Sequence, residues 1–204
     1  MNINFAELSA NQRYHLMTQT IIPRPIAWAL TDSDNGSFNL APFSYFTAVA
    51  SAPAILMLSV GKKPNGDDKD TLVNIVNNKK IVIHIASQHH ADLVTQTAQT
   101  LAHGESELSK NNIVTTNFDG FSLPRLAQCD IAYGCELYEV KELGDVPQNL
   151  IFVKVKQVYI NDEVITVDEK QRIKVHANKV CPLARLGGGE YASITEPFNI
   201  TRPK

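Results

Sequence analysis

Apolar residues along this chain come in short runs whose period changes from helical to strand-like, and proline, glycine or asparagine separates most of the runs. Residues 5–19 place Phe5, Leu8, Tyr14 and Met17 near one helical stripe, which predicts a short lead-in helix with weak caps. Pro23 and Pro25 then hold Arg24 extended, because a residue before proline is pushed out of the α region, and "IAWALT" continues as a strand. The strand ends at "DSDNGS", where Asn35-Gly36 supplies the positive-φ residues of a tight hairpin. The return strand "FNLAP" is followed by "FSYFTAVAS", a turn at Ala52-Pro53 and the continuous apolar run "AILMLSVG". With such short connections an antiparallel meander is the simplest topology.

Beyond the polar loop "KKPNGDDKD", the segment "TLVNIVNNKK" sets Leu72, Ile75 and Val76 on one helical face, and "IVIHIAS" reads as a strand. A second helix is expected through "HADLVTQTAQTLA", stopping at Gly104. Residues 105–128 are mixed, Pro124 forbids a long helix there, and the stretch reads as a surface excursion. The final third alternates better. "CDIAYGCELYEVKEL", "LIFVKVKQVYI" and "EVITVDEKQRIK" read as strands, the middle one with Ile151, Val153 and Val155 facing away from Phe152, Lys154 and Lys156. About six or seven strands with two inserted helices make a mostly β chain, a closed or half-closed barrel with helical additions.

Length and charge narrow the class. A chain of 204 residues, 44% hydrophobic and 20% charged, suits a single domain over residues 1–204. A net charge of -2, without a dense Lys/Arg block, argues against nucleic acid and anionic membrane as partners. The opening residues lack a signal-peptide pattern, and no stretch approaches the roughly 18 apolar residues of a membrane span. The expectation is a cytoplasmic protein. Cys129, Cys135 and Cys181 contain no C-x-x-C pair, which favours reduced thiols over a disulfide framework.

Local motifs for chemistry are sparse. His84, His89 and His90 lie close in sequence, while His15, His103 and His176 are scattered without metal-ligand spacing, so no metal site is assigned. No G-x-S-x-G occurs, and the cysteines read as small buried hydrophobes, Cys181 being the one to test for reactivity. The triple glycine at 187–189 lacks the strand and helix of a dinucleotide fingerprint, but lets backbone approach a flat ligand or a partner chain, or else forms a flexible turn. In "DDKDTLVNI", Asp70 or Thr71 could cap a helix whose free N–H groups, with Lys69 beside them, form an arrangement that binds phosphate.

Taken together, "PRPIAWALT", "NLAPFSYFTAVASAPAILMLSVG", "KDTLVNI", "GCEL" and "CPLARLGGGEYA" resemble, in order and spacing, the flavin reductase-like family of FMN-binding split β-barrel proteins, over about residues 20–192. Only the termini and residues 105–128 fall outside the match. The resemblance implies a six-stranded antiparallel Greek-key barrel that binds FMN non-covalently, as a homodimer with flavin near the subunit interface. It also implies a flavin site built from Arg24, Ile26, Ala27 and Trp28, from Asn39, Ala41, Pro42, Ser44, Tyr45 and Phe46, and from Lys69, Asp70 and Thr71 around the phosphate and ribityl chain. Arg185, Gly187, Gly188 and Tyr191 match the family's closing motif and line the pocket under that reading, from this subunit or the other. Two of these residues keep a second reading: Arg24 as a strand-edge salt bridge, and Trp28 as core or dimer packing.

The implied activity is an oxidoreductase that moves electrons from NAD(P)H to flavin and on to an acceptor. Hydride transfer to flavin asks the protein for positioning, electrostatics and water exclusion, so the absence of a catalytic triad is no objection, and no proton donor is nominated. The alternatives are a flavoredoxin-like electron carrier reduced by a protein donor, and a flavin-binding module without turnover. Pyridoxamine-phosphate oxidase barrels are related, but "PRPIAW" and "RLGGGEY" look like the flavin reductase branch.

Overall fold

The strand that carries the single tryptophan is buried on both faces. Side chains of a strand point alternately to opposite faces of its sheet, and in β1 (Ala27–Asp32) Ala27 and Ala29 enter one core while Trp28 and Leu30 enter another. A computed structural model of the chain describes residues 1–102, 104–194, 196–201 and 203. In it β1 is joined by β2 (Phe38–Phe43), β3 (Phe46–Ser51), β4 (Ala54–Val60), β5 (Lys80–Ile85), β6 (Ile131–Leu143) and β7 (Gln148–Ile160). They form a seven-stranded antiparallel sheet in the order β2-β1-β5-β6-β7-β4-β3.

β2 and β3 stand at opposite edges of that sheet, yet only Ser44 and Tyr45 separate them. One bent run of chain therefore supplies both edges, which requires the sheet to curl into a barrel with a seam at the bend. The Ser59 N–H donates to the Tyr45 carbonyl at 2.8 Å and carries the β3–β4 pairing up to the seam. The observed seven strands and the expected six differ by this break: β2 and β3 counted as one run leave six. The three early strands are consequently not a simple meander, since β2 pairs with β1 and β3 with β4 but not β2 with β3.

Inside the barrel, Leu58, Val60, Ile81, Ile83, Ile151 and Val153 pack with Leu72 and Ile75 of helix α2 (Asp70–Asn78). Burial of each such side chain contributes about 1.5–3 kcal/mol. Val76 lies off that face and is exposed. On the outer face of β1, Trp28, Leu30 and Leu40 pack against Leu108, Ile113, Phe118, Leu123 and Leu126. Residues 105–128 are thus a layer of the second core rather than a surface excursion. Their apolar positions follow neither a two-residue nor a helical period, so local pattern does not reveal them. Gly134 of β6 makes room for this layer, since a Cβ there would stand 2.9 Å from the Phe121 ring.

Smaller differences have local causes. Helix α1 covers Ala10–Thr20, after a single 3-10 turn, and starts with a full capping box between Ser9 and Gln12, a firmer start than its sequence suggests. The second expected helix is confined to α3 (Ala91–Gln96). In the β1–β2 hairpin, Gly36 adopts positive φ and Asn35 does not; the Asn35 side chain instead accepts from the Ser37 N–H. His84 is fully buried between the sheet and residues 105–128: its Nδ1 lies 3.0 Å from the Trp28 carbonyl, and its Nε2 accepts from the Leu126 N–H at 2.9 Å. All three cysteines are free, and burial pushes the Cys129 and Cys135 thiols up to about 12. No helix among the described residues is long and apolar enough to cross a membrane.

Candidate functional site at the barrel seam

The bend that splits β2 from β3 opens a cleft of about 570 Å³. Pro42, Phe43, Ser44 and Tyr45 form one wall, the end of β4 contributes Ser59, with Gly61 just after the strand, β7 contributes its first residue Gln148 and the turn before it Val146, and Tyr14 and Met17 of α1 close the remaining side. Pro42 is tolerated here because β2 is an edge strand with no further neighbour to claim an N–H. The cleft is of mixed character: Tyr14, Met17, Pro42, Phe43 and Tyr45 give it aromatic and apolar surface, with the Tyr14 and Tyr45 ring centroids 6.3 Å apart, while Ser44, Ser59, Lys62, Lys69 and Gln148 supply polar groups. The Tyr45 hydroxyl is buried without a hydrogen-bond partner, and burial, followed by the nearby Tyr14, raises its pKa.

A second cavity of about 70 Å³ adjoins the first and shares Pro42 and Lys69 with it. Asn39, Ala41, Asp70, Thr71 and Glu107 line it, together with residues 97–101. It sits at the first turn of α2, where helical geometry leaves N–H groups without intrahelical acceptors and the dipole is positive. The cap position belongs to Lys69, which makes no side-chain cap bond, so neither Asp70 nor Thr71 plays the capping part expected of it. The Thr71 hydroxyl accepts from Asn39 Nδ2 at 3.0 Å, and Asp70 pairs with Lys63 at 2.9 Å. Lys69 is half-buried beneath the Phe43 ring and has no ion pair among the described residues; burial, then the neighbouring Lys63, lowers its pKa. An anion bound beside it would offset both effects.

The structure gathers part of the expected set and disperses the rest. Asn39, Ala41, Pro42, Ser44, Tyr45, Lys69, Asp70 and Thr71 line the two cavities. Phe46 follows them but packs toward the barrel core. Ile26, Ala27 and Trp28 are core residues that line neither cavity, and Trp28 donates its indole N–H to Thr97 Oγ1 at 2.9 Å. Alternation along this strand turns both sets of side chains into one core or the other. Among the described residues Arg24 does not form the strand-edge salt bridge considered for it: its guanidinium donates to backbone carbonyls and to Ser44.

Arg185, Gly187, Gly188 and Tyr191 line neither cavity. Residues 184–185 and 191–192 form a small sheet with Arg24–Pro25, the Arg185 guanidinium stacks 4.5 Å from the Tyr191 ring centroid, and the Tyr191 hydroxyl meets Thr95 at 2.9 Å. Gly187 faces the Gln19 carboxamide of α1. Among the described residues, which do not include His103, no cluster of His, Cys, Asp or Glu could hold a metal ion. Sequence reasoning missed Ser59, Gly61, Gln148 and Glu107, which carry no local signal. Tyr14 and Met17 were visible as a helical stripe, but not as a wall of a cleft.

These features define a mostly β split barrel with a ligand-sized cleft where the barrel divides. The chain belongs to the flavin reductase-like family, whose domain model matches residues 17–175. The Bacillus subtilis protein YwrF is 30% identical to it over 201 residues, covering 97% of this chain and 96% of that protein. Among solved structures, nitrilotriacetate monooxygenase component B from Bacillus cereus superposes with a TM-score of 0.88 at 31% identity over 98% of both chains. The 2-nitrobenzoate 2-nitroreductase NbaA from Pseudomonas fluorescens superposes with a TM-score of 0.87 at 26% identity, over 100% of this chain and 96% of that one.

Proposed function

We propose that this protein binds FMN without a covalent bond across the seam cleft and its adjoining niche, and moves electrons from NAD(P)H through the flavin to an acceptor. The observation that carries this reading is the adjacency of two cavities that share Pro42 and Lys69: a cleft of about 570 Å³ with aromatic and polar lining, and a polar niche of about 70 Å³ at a helix tip. A flat ring with polar edges suits the first, and one small anionic group suits the second.

Two groups test the fit. The unpartnered Tyr45 hydroxyl is a buried donor that a flavin carbonyl or ring nitrogen would satisfy. Lys69, half-buried and without an ion pair among the described residues, is a cation that a phosphate would satisfy. Both fit the cofactor. Under this reading Pro42, Ser44 and Tyr45 hold the ring, while Asn39, Ala41, Lys69, Asp70 and Thr71 surround the phosphate and the ribityl end next to it, Asp70 by keeping Lys63 in place and Asn39 by its bond to Thr71. Bound flavin supplies the hydride and electron chemistry; these residues bind, orient and exclude water. The limited room in the niche favours the monophosphate FMN over a dinucleotide.

The acceptor is a small molecule or a partner protein, readings that the names of the two solved relatives respectively support: one is a nitroreductase, the other a component of a monooxygenase. A homodimer with flavin near its interface belongs to the same proposal, supported by the exposed row Thr47, Ala48, Val49, Ala50 and Ser51 on β3. Light scattering would then give about twice the 22.6 kDa of one chain. The test of function is the visible spectrum of the purified protein, followed by anaerobic titration with NADH and NADPH. Bleaching by either supports the oxidoreductase; bleaching by dithionite alone points to an electron carrier. A preparation that stays colourless after incubation with excess FMN overturns the proposal.

A further inference from the structure

We infer that Arg24 is a positioning residue for the seam cleft, which aims the Ser44 hydroxyl at the ligand and holds the α1 wall in place without lining the cleft itself. The inference rests on the flavin-binding reading and adds to it the device that keeps the cleft in working shape.

Arg24 is 5% exposed, and its guanidinium joins three separate parts of the chain. Nη1 donates to the carbonyls of Thr18 at 2.6 Å and Ile21 at 2.9 Å. Both lie at the C-terminal end of α1, where carbonyls lack intrahelical partners and a cation is favoured. Nη2 donates to the Leu186 carbonyl at 2.8 Å, and Nε to Ser44 Oγ at 3.4 Å. Four of the five N–H groups of an arginine are thereby engaged, and the side chain lines neither cavity.

The bond to Ser44 has a direction. Because Oγ accepts from Arg24, the serine's own hydrogen remains to be donated elsewhere, and Ser44 is a cleft residue. The bonds to α1 act on the opposite wall. Thr18 is the only buried residue of this helix, so the helix has little apolar anchorage of its own. Tyr14 and Met17, which α1 contributes to the cleft, are held there by the tie at its C-terminal end and by the Gln19–Gly187 contact beside it. A planar fork with separated donors is needed to reach all three segments, which lysine lacks.

The experiment compares wild type, Arg24→Lys, Ser44→Ala and the double variant, reading FMN affinity from quenching of flavin fluorescence, the position of the bound flavin's visible bands, and cooperative urea unfolding. A single lysine nitrogen can serve the Thr18 and Ile21 carbonyls but not Ser44 and Leu186 as well, so R24K should still unfold cooperatively. R24K and S44A should each weaken FMN binding by about five- to tenfold, the worth of one hydrogen bond. They should shift the flavin bands alike, and the double variant should bind within about twofold of S44A because both changes remove the same contact. Wild-type affinity in R24K, or losses that multiply in the double variant, would overturn the inference while leaving flavin binding intact. Failure of the wild-type protein itself to take up FMN overturns the functional reading and this inference with it. Should R24K not fold, Arg24→Gln, which buries no charge, replaces it in the comparison, and the same results support or overturn the inference.

Discussion

Acid should destabilise this protein through His84. The imidazole is completely buried, burial lowers its pKa from 6.5 to about 4, and the bond to the Trp28 carbonyl and the Arg125 charge are secondary influences. Its two nitrogens explain why the neutral form is required: Nδ1–H donates to the Trp28 carbonyl, while Nε2 must accept the Leu126 N–H and has no room for a proton of its own. With the folded value below the unfolded one, the unfolded chain binds the proton first. Stability is therefore fully present above pH 6.5 and is lost as pH falls toward 4. The whole window is worth about 3 kcal/mol, and the interval from pH 7 to pH 5 about 2 kcal/mol, a large share of a typical domain's roughly 5–15. Urea unfolding followed through Trp28, the only tryptophan, measures it directly. His84→Gln keeps a donor and an acceptor but cannot titrate, so it should lose about 2 kcal/mol less than wild type over that interval. His90, whose pKa is also lowered by burial, then by His89, contributes in both proteins and cancels in the difference. Equal losses in wild type and H84Q would refute the reasoning.

Other changes separate the parts of the site from the scaffold. Lys69→Met should weaken FMN binding by about ten- to a hundredfold, the worth of a charge-assisted phosphate contact, yet leave riboflavin, which has no phosphate, bound as before in a fluorescence titration. Tyr45→Phe removes a buried hydroxyl that has no partner in the free protein. It should raise apo stability by up to about 1 kcal/mol in urea melts while lowering FMN affinity by roughly fivefold. Gly134→Ala drives a methyl group to 2.9 Å from Phe121 and 3.2 Å from Phe118. It should cost about 1–3 kcal/mol if residues 105–128 belong to the core, whereas a change below about 0.5 kcal/mol would mean that this layer gives way easily.

Much of the barrel was legible because its signals are local. The strand propensity of "IAWALT", the two-period of "LIFVKVKQVYI", the glycine of the first hairpin and the amphipathic face of "TLVNIVNN" are each written within a dozen residues, and each produced the expected kind of element. The family resemblance rests on motifs of the same short reach, and the family match over residues 17–175 takes in all of them except the closing "CPLARLGGGEYA", while its span also includes residues 105–128. Half of the candidate site was visible for the same reason: Asn39 to Tyr45 follow one another through a single bend, and Lys69 to Thr71 through one helix tip.

What remained depends on contacts between distant segments. No local rule tells that Arg24 meets a carbonyl 162 positions later, or that Leu40 donates its N–H to Glu107 across a core the intervening residues help to build. Nor does a continuous apolar run say which core each side chain enters, and only the fold shows that the side chains of Ile26, Ala27 and Trp28, expected at the flavin from the family resemblance, are buried in the two cores. Sequence determined the elements and their chemistry, because propensity and periodicity act over neighbouring residues. Tertiary structure decided which of those residues share a cavity, because closing a barrel at Ser44–Tyr45 brings together groups that nothing along the chain relates.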